Sequence, residues 1–234
     1  MAQSAPALQH LLPGRSGPAI IAHGGGNSLD RVRDYVAAGA DYLEVDLWLH
    51  RGRFEARHER RVRLLPLLFE KWYLRRVPSP HYGLAELLEA AAGSSAGIFL
   101  DLKNGGASAA EALAAVIAGT EHQPRIIASS QQWKALRAIA ERLPAVDTFY
   151  SIDVRAKLDL FLSVSDRDMR PRGVSCRHTL LTGPIVRQLI DRGLLVVAWT
   201  VDDIERAREL AGWGVHGLTT HRVAGMHAAL GNLL

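Results

Sequence analysis

Short apolar runs rich in β-branched residues recur along the chain, and alanine- and leucine-rich stretches at helical spacing separate them. The runs at 19–22, 42–46, 98–102, 125–128, 147–150, 173–176, 195–199 and 216–219 read as strands. The stretches at 29–38, 107–118, 131–140, 185–191 and 204–210 read as amphipathic helices, and Gly39, Gly119, Gly193 and Gly214 supply stop signals. Alternation of this kind implies βα units and a parallel sheet, and eight strands are the number that closes a parallel barrel. The expected fold is therefore α/β, a (β/α)8 TIM barrel in a single domain over residues 1–234, with a doubly wound open sheet as the alternative.

One long interruption, about 47–83, comes after the second strand. His50, Arg51, Gly52 and Arg53 read as a tight turn between short extended runs, and Pro66, Pro78 and Pro80 punctuate the remainder of the segment. Such a segment exceeds an ordinary βα loop and is expected to form an active-site lid or small subdomain, since the βα loops build the catalytic face of a barrel.

Length and composition narrow the function. A 234-residue chain with 48% hydrophobic and 22% charged residues can bury a core without disulfides. The lone Cys176 excludes an intramolecular disulfide and a cysteine-rich zinc site, and it reads as a small buried hydrophobe. No apolar run approaches the length of a transmembrane segment, and the first residues lack a charged n-region followed by an apolar h-region, so a cytoplasmic location is expected. Net charge is +4, and six arginines against two glutamates between Arg51 and Arg63 account for all of it. That segment suits either a phosphate-bearing partner or a solvated loop. Without interleaved aromatics to stack bases, nucleic acid is not the expected partner.

Candidate chemistry collects at the strand ends. Glu44 and Asp46 are two residues apart, so on a strand they point to one face, and Asp101 joins them from the next strand. Three hard oxygen donors suit Mg²⁺ or Ca²⁺ rather than zinc, unless each acid pairs with an arginine. His23 ends the first strand and Lys103 the third. Trp199 reads equally as core or as a ring over a glycerol or choline group. Arg177 and His178 read as a surface turn.

The order of these pieces resembles the glycerophosphodiester phosphodiesterase family. The stretches that carry the resemblance are Ala22-His23-Gly24-Gly25, Gly39 through Glu44-Val45-Asp46, Arg57-His58-Glu59, Asp101-Leu102-Lys103, Trp199-Thr200-Val201, and Thr219-Thr220-His221-Arg222. The resemblance implies metal-dependent cleavage of a small phosphodiester. Glu44, Asp46 and Asp101 would hold the ion, His23 and His58 would serve as general base and acid, and Lys103 would hold the phosphate. Three departures stand out. Gly24 replaces an arginine that contacts phosphate, Asp101 replaces a glutamate, and His58 is followed by Glu59 instead of aspartate. The first two look like the related sphingomyelinase D type phospholipases. The missing arginine is expected to be replaced from the basic hairpin, by Arg57 or a neighbour. Two alternatives stand beside hydrolysis to an alcohol and glycerol phosphate. One is a phospholipase D-like lyase forming cyclic phosphate, with the run at 64–73 either holding acyl chains or packing as a helix under the lid. The other is a phosphate-binding barrel without turnover. His221 receives no role.

Overall fold

The computed structural model describes residues 11–12, 17–62, 65, 67–70, 73–77, 82–121, 124–164 and 171–231. Eight strands pair in parallel around a closed ring: β1 (Ala19–Ala22), β2 (Tyr42–His50), β7 (Gly97–Leu102), β8 (Ile126–Ser130), β9 (Asp147–Ile152), β10 (Gly173–Arg177), β11 (Leu195–Trp199) and β12 (Gly217–Thr220). The ring closes because β1 pairs with both β12 and β2. Helices follow the strands: α1 (Leu29–Ala37), α2 (Leu84–Ala90), α3 (Ser108–Ala118), α4 (Trp133–Arg142), α5 (Arg155–Val164), α6 (Gly183–Asp191), α7 (Ile204–Gly212) and α8 (Val223–Leu230). This is a (β/α)8 barrel, and all eight strands predicted from the apolar runs are present.

Strand parity divides the core in two. Ile20, Ala22, Leu43, Val45 and Leu47 pack outward against the helices, whereas Ala19, Ile21, Tyr42, Phe99, Ile127, Phe149 and Val197 fill the interior with Leu11 and Leu12 beneath them. Tyr42, Glu44 and Asp46 therefore form one inward row on β2, apolar below and acidic at the mouth. Packing in the lower layer is tight. A Cβ added at Gly97 would stand 2.4 Å from the Tyr42 ring, so glycine lets the ring lie against β7. Among the described residues no helix is long and apolar enough to cross a membrane.

The insertion differs from a plain lid loop. Strand β2 continues past Asp46 to His50 and turns back antiparallel through β3 (Arg53–Ala56). Arg51 and Gly52, at φ +49° and +79°, make the two-residue turn that matches hairpin twist. Beyond it lies a separate three-stranded sheet, β4 (Arg60–Arg61), β5 (Leu67–Glu70) and β6 (Tyr73–Arg76). The run read as a possible helix is thus partly β-strand. Leu68 is fully buried while Phe69 is exposed, a two-residue period that a helical reading overlooks. Arg63, Leu64, Pro66, Trp72, Pro78 and Pro80 lie outside the described residues.

Candidate active site

The carboxylates meet by register. Strand β2 lies beside β7 with Asp46 directly opposite Asp101, two pairs above Glu44 and Phe99 and so on the same face. Ligand oxygens of Glu44, Asp46 and Asp101 fall within 4.8 Å of one another. They line a cavity of about 240 Å³ at the mouth of the barrel, with His23, His58, Lys103, Arg177 and Trp199 around it.

The glycine loop after β1 aims two of these acids. Gly24 takes φ +59°, and its N–H donates to Glu44 Oε2 at 2.6 Å. Gly26 donates to the Glu44 carbonyl at 2.8 Å, and a Cβ there would lie 2.8 Å from that of Val45, so only glycine lets the loop press onto β2. Asn27 then grips Asp46 twice: its amide donates to Oδ2 at 2.9 Å and its oxygen accepts from the Asp46 N–H at 3.0 Å. Sequence reasoning passes over Asn27, which reads as an ordinary turn residue.

Electrostatics mark the site as crowded with negative charge. Lys103 Nζ sits 2.6 Å from Asp46 Oδ1 and also bonds the Asp101 carboxylate. Burial raises the Glu44 carboxyl well above the usual range, and the charges of Asp46 and Asp101 add to the rise. Burial likewise raises Asp101, partly offset by Lys103. Asp46 ends below the ordinary value: burial pushes it upward, but the Lys103 charge, its hydrogen bond and that of Asn27 together prevail. Lys103 is held protonated because Asp101 and Asp46 outweigh its desolvation. One ammonium therefore faces three acids, and this hard-oxygen donor set with surplus negative charge fits a divalent cation of the Mg²⁺ or Ca²⁺ kind.

Both predicted histidines reach the cavity. His23 Nδ1 lies 2.7 Å from Thr200 Oγ1, and burial, reinforced by the neighbouring His221, pulls its pKa down to about 4. His58 contacts Glu70 Oε1 of the insertion sheet through Nδ1 at 2.8 Å, and its side chain is 54% exposed. His221, given no role from the sequence, stacks on His23 with centroids 4.5 Å apart and is itself fixed by Asp202 at 2.8 Å.

Arg57 corrects the sequence reading. It does not line the cavity: its Nε pairs with Glu55 at 2.9 Å, its Nη1 donates to the Glu59 carbonyl, and it lies over the Trp48 ring at 5.3 Å. Its charge is consumed inside the insertion, and Arg51, Arg53 and Arg61 border a different cavity of about 380 Å³ beside Glu55 and Glu86. Two other arginines approach the mouth instead. Arg177, read as part of a surface turn, stands at the end of β10 over the Trp199 ring at 5.6 Å. Arg31 of α1 reaches the Gly24 carbonyl at 3.4 Å, and a side chain at Gly24 would begin 2.8 Å from its guanidinium.

Comparison with known proteins agrees with this architecture. No curated protein matches the sequence. Among solved structures, one from Silicibacter pomeroyi DSS-3 has a TM-score of 0.76 at 20% identity, covering 96% of each chain. An Oleispira antarctica phosphodiesterase in complex with sn-glycerol-3-phosphate gives 0.74 at 17% identity, over 92% of this chain and 97% of that one. A glycerophosphodiester phosphodiesterase from Parabacteroides distasonis gives 0.74 at 18%, over 94% and 99%. At such identities these likenesses establish the barrel. Residues 101–224, more than half of the chain, match the model of the glycerophosphoryl diester phosphodiesterase family. That match begins at Asp101 and leaves out the preceding part of the chain, which carries Gly24 and Glu59. The protein belongs to the glycerophosphoryl diester phosphodiesterase family and is a phosphoric diester hydrolase.

Proposed function

We propose that the protein hydrolyses glycerophosphodiesters to an alcohol and glycerol phosphate, with Glu44, Asp46 and Asp101 holding Mg²⁺ or Ca²⁺ and His23 and His58 transferring protons. The observation that carries this reading is the convergence of three carboxylates, two histidines and Lys103 on one cavity at the barrel mouth. The structural neighbour that holds sn-glycerol-3-phosphate supports a product of this size. A divalent ion held there supplies a Lewis acid for a nonbridging phosphate oxygen.

The remaining chemistry belongs to the chain. Thr200 occupies His23 Nδ1, which directs Nε2 to a proton of the attacking water, whose oxygen forms the new bond to phosphorus, and burial keeps that ring neutral and able to accept the proton. Glu70 in the same way occupies His58 Nδ1, leaving Nε2 to protonate the oxygen of the departing alcohol as its bond to phosphorus breaks. Lys103 places a positive charge between the acids and the phosphate, while Arg177 and Trp199 border the outer cavity where the alcohol would rest. Arg31, rather than Arg57, brings a guanidinium beside Gly24.

This assignment predicts a dependence on the leaving group. His58→Ala should slow hydrolysis of glycerophosphocholine by about 10²- to 10⁴-fold, the usual contribution of a positioned acid, and leave a nitrophenyl phosphodiester nearly unaffected because its phenolate needs no proton. Equal losses on both substrates would remove His58 from the role of acid. Arg177→Ala should lower kcat/KM by about tenfold to a hundredfold, as expected for a lost charge-assisted contact, whereas Arg57→Ala should act on stability instead. The reverse pattern would return the phosphate contact to the hairpin.

A further inference from the structure

The insertion sheet has an outer face that the catalytic site does not use. Four of the seven exposed large hydrophobic residues among those described, Leu65, Phe69, Tyr73 and Leu74, fall within ten positions of one another. Register sorts them by side. Arg60 lies opposite Phe69 and Phe69 opposite Leu74, while Leu67 lies opposite Arg76, so by strand alternation these five residues share one face. On the other face Leu68 is fully buried, Glu70 bonds His58 and Arg75 pairs with Glu59 at 2.5 Å, while Tyr73, opposite Glu70, and Arg75 are themselves exposed at its edge. On the outer face Phe69 is 44% and Leu74 60% exposed, with Arg76 exposed beside them, while the Arg60 guanidinium lies over the Trp48 ring at 5.9 Å.

Charge identifies the occupant. Residues 47–83 contain eight arginines and one lysine against three glutamates, a net +6 in a chain whose total is +4. A second copy of the chain would bring +6 against +6, which opposes pairing through this face. Phe69 is the one ring among these five residues, whereas a surface that holds successive bases stacks them on a row of aromatic side chains. An anionic bilayer matches both components, because apolar side chains can enter the boundary between headgroups and acyl chains while arginines remain among the lipid phosphates. We propose that the outer face of the β4–β5–β6 sheet docks the protein on an anionic phospholipid surface. Since Glu70 on the same sheet holds His58, docking would present the rim of the catalytic cavity to molecules leaving that surface.

The test reads binding and is independent of turnover. The full chain is floated with vesicles of phosphatidylcholine alone or of phosphatidylcholine mixed with phosphatidylglycerol, at low and high salt. Binding is expected only to the mixed vesicles and should weaken as salt rises. Arg76→Glu changes two charges at about fivefold each and should weaken binding by about 25-fold. The double variant Phe69→Ser with Leu74→Ser should weaken it by at least about tenfold. Both variants should hydrolyse a soluble nitrophenyl diester as the parent does, which shows that they are folded. Binding that ignores lipid charge, or that survives both variants, would overturn the proposal. So would sedimentation showing a dimer that the double variant abolishes, since the face would then be occupied by a second copy.

Discussion

Glu44→Gln should abolish divalent-metal binding and lower turnover by about 10³-fold, yet leave the metal-free protein nearly as stable as the parent. Three observations lead to this combination. Glu44 is 6% exposed, accepts the Gly24 N–H at 2.6 Å, and is pushed toward its protonated form by burial and by Asp46 and Asp101. Glutamine keeps the shape and the acceptor for Gly24, and it mimics the protonated acid. It lacks the full negative charge that a hard cation requires. Glu44→Ala should lose metal binding too, but with a stability cost of about 1–3 kcal/mol for stranding the Gly24 N–H. Calorimetric titration with Mg²⁺ and Ca²⁺, alongside thermal unfolding in chelator, separates the two effects. Unchanged binding by Glu44→Gln would take this carboxylate out of the ion site.

His23→Ala should lower kcat by about 10²- to 10⁴-fold on alkyl and nitrophenyl diesters alike, because a base that activates the nucleophile is needed whatever the leaving group. The pH dependence rests on the lowered pKa. His23 accepts a proton only when neutral, and with its pKa brought from 6.5 to about 4 by burial and then by His221, the base form persists well below pH 6. The acidic limb of kcat/KM assigned to His23, measured at saturating metal, should therefore lie nearer pH 4 than 6.5. In His221→Phe, which keeps a stacking ring without its charge, that limb should move upward. A limb fixed near 6.5 in both proteins would place His23 in an open, solvated environment and contradict its assignment as the buried base.

Much of this site is legible in the sequence because strand geometry is strict. A two-residue period places Glu44 and Asp46 on one face once β2 is recognised, and consecutive βα units place Asp101 on the adjacent strand. The eight strands carry the clearest signal, since short β-branched runs between alanine-rich stretches have few other readings. Helices α2, α5 and α8 do not stand out in the pattern: α2 has only seven residues and directly follows the insertion, and α8 is apolar on nearly every side. What the sequence hides is contact between distant residues. Asn27 looks like turn chemistry until it is seen gripping Asp46. His221 receives no role from the sequence, and only its stacking on His23 gives it a place. Arg57 shows the opposite error: charge density suggests a phosphate contact, but Glu55 and Trp48 lie close enough to engage it first. Charge counted along a chain does not reveal which charges are already paired.

The most direct test of the central claim is phosphorus NMR of the purified protein incubated with glycerophosphocholine and either Mg²⁺ or Ca²⁺. A metal site built from Glu44, Asp46 and Asp101 predicts conversion of the diester resonance to that of a glycerol phosphate monoester, blocked by chelation and restored by adding metal. A cyclic phosphate that accumulates as the end product, turnover unaffected by chelator, or an unchanged diester would contradict it.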